Sequence, residues 1–81
     1  MTIEEHLSAS RAAHTLYRQI HDESKNSDQS TMKAAIAVAL DHREQAEQLD
    51  PRHTDPAWSG DRVSSDRLIT FYHSVLGAGS V

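Results

Sequence analysis

Both prolines of this chain, Pro51 and Pro56, stand in one polar segment between Asp50 and Gly60, each directly after an aspartate. Proline lacks an amide hydrogen and biases the preceding residue away from helical geometry, so Asp50 and Asp55 mark turns or extended chain. What comes before them reads as two helices, and what comes after as a third.

The first helix is expected over residues 3–24. Thr2 and Glu5 have the Thr-x-x-Glu spacing of a capping box, and neither Pro nor Gly follows until past Ser24. At about 100° per residue, Ile3, Leu7, Ala9, Ala13, Leu16, Tyr17 and Ile20 share one half of the cylinder. Glu4, Arg11, Thr15, Arg18, Gln19 and Asp22 fall on the other. The polar run Ser24-Lys25-Asn26-Ser27 breaks the pattern, and Ser27 or Asp28 can cap a second helix over residues 28–49. Two helices of similar length on so short a link form an antiparallel hairpin about 30 Å long. From Met32 to Leu40 the second helix is apolar around much of its circumference, which marks it as central, with neighbours on more than one side. Asp41, Arg43, Glu44 and Glu47 read as its solvated face.

A third helix is expected over residues 65–76, starting at Ser64 or Ser65 and ending at Gly77, with Leu68, Ile69, Phe71, Tyr72, Val75 and Leu76 on one face. The stretch Leu68-Ile69-Thr70-Phe71-Tyr72 also has strand propensity. It does not alternate, and a lone strand would lack a pairing partner, so helix is the reading. Gly77-Ala78-Gly79-Ser80 reads as a frayed tail. The fold class is thus all-α, an antiparallel hairpin plus a shorter third helix, in one domain spanning residues 1–81.

Size makes this arrangement marginal for a monomer, because a chain of 81 residues buries only somewhat more than about 60 % of its unfolded surface. There is no cysteine to staple it. A homodimer whose hairpins form a four-helix core is the expected remedy. The formal net charge of −4 argues against nucleic acid and anionic membrane as partners, and no basic recognition helix suits a helix-turn-helix reader. No apolar run reaches the roughly 18 residues of a membrane span, and the N-terminus lacks the order of a secretory signal, so a cytoplasmic location is expected.

Histidine is the unusual component, with six in the chain. His6, His14 and His21 project from the apolar half of the first helix beside Tyr17 and Ser10, and His42 from the apolar side of the second, so four imidazoles are expected along one hairpin interface. A metal or haem site would suit imidazole in a bundle. The spacing opposes it: no His has another His or a carboxylate three or four residues away on its own helix, so neither Glu-x-x-His nor His-Glu-x-x-His occurs. No metal and no cofactor is therefore expected. The histidines read first as space-filling, hydrogen-bonded residues. In the alternative reading His6, His14, Tyr17, His21 and His42 bind a small ligand, or a metal or haem across the hairpin, or sense pH, because acid would charge an imidazole held in an apolar interface.

Nothing in the sequence builds a nucleophile elbow, a phosphate loop or a triad, and the chain is expected not to be an enzyme. Trp58 is either an anchor for the proline-bearing segment or a contact for another protein. The functional expectation is a non-enzymatic protein-interaction or regulatory module, acting as a homodimer and contacting another protein through Trp58, Phe71 and Tyr72.

Overall fold

Helix α1 (Ile3–Ser24) begins on the reciprocal cap that its first residues encode. The Glu5 amide donates to Thr2 Oγ1 at 3.1 Å and the Thr2 amide to Glu5 Oε1 at 2.9 Å, so two otherwise orphaned donors are satisfied. Helix α2 (Gln29–Leu49) stops before Pro51, a one-turn 3-10 helix follows at Pro56–Gly60, and α3 (Ser65–Gly77) completes the chain. This is a computed structural model, and it describes residues 1–24, 29–61 and 63–77. The expected turn and cap at Lys25, Asn26, Ser27 and Asp28, and the expected tail at Ala78, Gly79 and Ser80, lie outside the described residues.

The described residues are all-helical, as the periodicity predicts, and contain no strand. The strand-prone run Leu68–Tyr72 is helical because Leu68, Ile69, Tyr72, Val75 and Leu76 fall on one stripe that packs against α2. Ser64 launches α3: its carbonyl accepts from the Leu68 amide at 3.1 Å, and its hydroxyl accepts a longer bond from the Arg67 amide at 3.4 Å. No described helix is long and apolar enough to cross a membrane.

α1 and α2 run antiparallel: His6 meets His42, Ser10 bonds to Ala39, and Ala13 packs with Ile36. α2 is central as expected, packing against both α1 and α3, while no Cα of α1 comes within 8 Å of one in α3. The core has two parts. Ala13, Ile36, Ala39, Leu40 and Tyr72 form the part under α3. Leu7, Ala46 and Trp58 form the other, under the 3-10 turn.

Arg43 corrects the sequence reading. It does not lie on a solvated face but is only 1 % exposed. Its spacing explains this: Arg43 lies seven residues after Ile36 and four after Ala39, on the stripe α2 buries.

Candidate functional site

Because α1 and α3 both pack on α2 without closing on each other, a groove of about 410 Å³ runs between them. Arg11, His14, Thr15 and Arg18 line it from α1, Arg43 from α2, and Leu68 and Tyr72 from α3. Its end is closed by Gly60, Asp61 and Val63. On α1 the four lining positions follow i, i+3, i+4, i+7 spacing, one face of a helix beside the buried one.

Asp61 organises the groove. Its carboxylate accepts from Arg11 Nε at 2.9 Å and from Arg43 Nη1 at 2.5 Å, with a longer contact to Arg43 Nη2 at 3.5 Å. Burial pushes the Asp61 carboxyl up, but the two guanidiniums outweigh this and hold it below the usual carboxylate range. Arg11 also donates from Nη2 to the Ala57 carbonyl at 2.8 Å, and its guanidinium lies so close over Gly60 that a Cβ there would meet Nη2 at 3.0 Å. Glycine at position 60 lets the arginine reach across.

His14 and Tyr72 form the opposite wall, joined by a hydrogen bond of 2.7 Å between His14 Nδ1 and the Tyr72 hydroxyl. Burial, with the charges of Arg18 and Arg43, lowers the His14 pKa, so this imidazole is neutral at pH 7. Burial raises the Tyr72 phenol despite Arg43 and Ser10, which act the other way. Beside the groove, Phe71 stacks on His14 with ring centres 6.0 Å apart and meets Tyr17 edge-on at 6.0 Å.

The histidines do not share one interface, which corrects the expectation from the helical wheel. Only His6 and His42 meet across the hairpin, Nδ1 to Nδ1 at 3.0 Å, so one ring donates and the other accepts. Between His6 and His14 the helix turns by about 80°, enough to move the side chain from the α2 seam to the α3 side. His21 sits near the end of α1, half exposed, its ring tilted against Tyr17 with centres 6.1 Å apart, and 3.6 Å from Asp22. His6 with His42 supplies two of the roughly four ligands a structural zinc takes, and no group of three His, Cys, Asp or Glu suited to a metal occurs among the described residues.

Trp58 is 9 % exposed and Tyr72 1 %, whereas Phe71 is 40 % exposed; of the three expected partner contacts, only Phe71 offers substantial surface. Trp58 is pinned by its indole N–H to Asp50 Oδ2 at 2.8 Å, and by His53 stacked on it at 3.8 Å. Asp50 also accepts from the Asp55 amide and the Thr54 hydroxyl, each at 2.9 Å. Burial pushes the Asp50 carboxyl up, yet these donors together hold it far below its ordinary value. Sequence reasoning missed Arg11, Arg43 and Asp61 as a unit. The legible signal was Arg43 itself, a charge on an apolar stripe that requires a partner.

Protein-family models, curated proteins and solved structures were all compared with this chain, and none matches it.

Proposed function

We propose that this chain is a non-enzymatic interaction or regulatory module that acts as a homodimer, with the cytoplasm as its setting. One observation carries the reading: the side of the hairpin turned away from α3 bears apolar side chains left open to solvent. On α1, Ala9, Ala12, Leu16 and Ile20 lie within about a quarter of the cylinder, on the shoulder opposite Arg11 and Arg18. Leu16 is 49 % exposed and Ala12 is exposed beside it. On α2, Val38 is 48 % exposed, on the shoulder that bears His42 and away from Leu40 and its contact with α3. Exposed Ala34, one turn before it, adjoins it and is small enough to let a second helix approach closely. A second copy seated here would complete a four-helix core and leave the α1/α3 groove and Phe71 open for another partner.

The buried carboxylates favour binding over chemistry, because Asp50 and Asp61 are each taken up by donors of the chain itself. Sedimentation velocity at about 50 μM tests the dimer, a concentration at which even a Kd of a few micromolar leaves mostly dimer. Wild type is expected as a dimer, and Leu16→Glu and Val38→Glu as monomers of unchanged helical circular dichroism. A monomeric wild type would remove the self-association reading.

A further inference from the structure

We infer that the groove between α1 and α3 is a binding site for a phosphomonoester group, held by Arg11, Arg18 and Arg43 with the Tyr72 hydroxyl at its wall. This goes beyond the interaction reading and does not depend on it: self-association uses the opposite side of the hairpin.

Charge is the first argument. The chain carries a formal −4, yet this groove gathers three guanidiniums against the single carboxylate of Asp61 and so holds a local surplus of two positive charges. Like charges are costly to collect on a small domain unless something offsets them. A phosphomonoester, at roughly −1.5 to −2 near neutral pH, matches that surplus, where a single carboxylate would leave part of it.

Unused donors are the second argument. Asp61 and Ala57 take Nε and Nη2 of Arg11, but Nη1 has no hydrogen bond among the described residues. Arg43 spends Nη1 and Nη2 on Asp61, while its Nε is buried with no partner. Leaving a buried guanidinium N–H unpaired is costly, so a side chain 1 % exposed with such a group needs an explanation. Arg18 makes no ion pair with any described residue and stands at the open rim. Guanidinium groups are suited to phosphate because their planar forks present paired N–H donors to its oxygens. Asp61 then has a second use: it fixes two of the three forks in place before any ligand arrives, which lowers the ordering cost of binding.

His14 reports on the site without contributing charge of its own. It is neutral, bonded to Tyr72, and senses both Arg18 and Arg43. A dianion placed among those arginines would favour protonated imidazole and move its titration upward.

The test is an NMR titration of the full chain, following the histidine ring signals at constant ionic strength. The probes are inorganic phosphate, glycerol 3-phosphate, a phosphoserine tripeptide and acetate. Saturable shifts of His14 by the phosphates, with its titration moved to higher pH and with acetate at least about tenfold weaker, would support the site. Arg18→Gln is expected to weaken phosphate about tenfold with the thermal midpoint unchanged, and Arg67→Gln, outside the groove, to leave binding as it is. A tripeptide preferred over glycerol 3-phosphate identifies a phosphorylated protein side chain as the source, and the reverse preference a small metabolite; both uphold the phosphomonoester. No saturable shift up to about 20 mM phosphate, equal binding of acetate, or shifts confined to other histidines would overturn it. The dimer test by sedimentation is read separately, so either idea can fail alone.

Discussion

Two segments that follow α2 are fastened to the same hairpin by opposite means. The stretch from Pro51 to Asp61 offers few apolar side chains, and charged hydrogen bonds hold it at both ends: Asp50 gathers Thr54, Asp55 and Trp58, and Asp61 bridges Arg11 and Arg43. α3 lies on α2 through Leu68, Ile69, Tyr72, Val75 and Leu76, with Tyr72–His14 as its hydrogen bond to α1. Apolar contact is non-directional and tolerates sliding, while a carboxylate with several donors fixes position. The short segment is therefore located by chemistry and α3 by area. Because α3 is fastened mainly to α2, its flank towards α1 stays open as the groove.

The comparison breaks most visibly at Asp61. Asp61→Ala strands Arg43, a charge buried to 1 % exposure, and removes the link to Arg11. Loss of one partner of a buried ion pair costs about 3 to 5 kcal/mol, a large share of the roughly 5 to 15 kcal/mol of a typical domain. Urea unfolding should show the midpoint falling by that measure. A loss under about 1 kcal/mol would mean that water or another group reaches Arg43, and that the segment is held by area as α3 is.

Trp58→Phe separates the indole's area from its hydrogen bond. The smaller phenyl ring keeps much of the contact with Leu7 and Ala46, while Asp50 loses the N–H donor at 2.8 Å. With the Thr54 and Asp55 donors retained, the expected loss is about 1 to 2 kcal/mol by urea denaturation. A neutral result would make Trp58 an apolar plug and move the weight of this segment to Asp61 alone.

Helix number, order and ends were legible because periodicity, Pro51 and the Thr2–Glu5 box are local signals. So was the central place of α2, written in its apolar circumference. The groove was not. Asp61 is 18 residues from Arg43 and 50 from Arg11, and no local pattern announces a carboxylate that meets both. The histidines were misplaced for a different reason: a half-cylinder sorts buried from exposed, but it cannot tell the side of α1 facing α2 from the side facing α3. Only the positions of both neighbours separate His6 from His14. Phe71 shows the same limit, since it sits at the margin of the α3 stripe and turns towards α1, where it meets His14 and Tyr17.

Tyr72→Phe sharpens the other half of the comparison. It keeps the ring in the core under α3 and deletes the hydroxyl bonded to His14. Water can reach part of His14 from the groove, so the expected loss is about 0.5 to 1 kcal/mol by thermal or urea unfolding. Much more than that would make the hydrogen bond, not area, the fastening of α3.

The smallest effect is one of pH, and its sign follows from which state binds the proton more readily. In the unfolded chain His14 titrates near the ordinary 6.5; in the folded protein burial, with Arg18 and Arg43, lowers that value. Above 6.5 the imidazole is neutral in both states and the fold carries no penalty from it. As pH falls below 6.5 the unfolded chain takes up the proton first, so stability drops until the folded value is passed, and this contribution then levels off. Asp50 and Asp61 act in a lower window: their folded values are depressed, so their contribution stands above about pH 4 and is lost in stronger acid. Unfolding midpoints of wild type and His14→Gln should therefore draw together as pH falls from 7.5 to 5.5. Below about pH 4 both should lose stability together. A gap that stays constant from 7.5 to 5.5 would mean that His14 titrates alike in both states, and that the α1/α3 side is open to water enough to hydrate a charged imidazole.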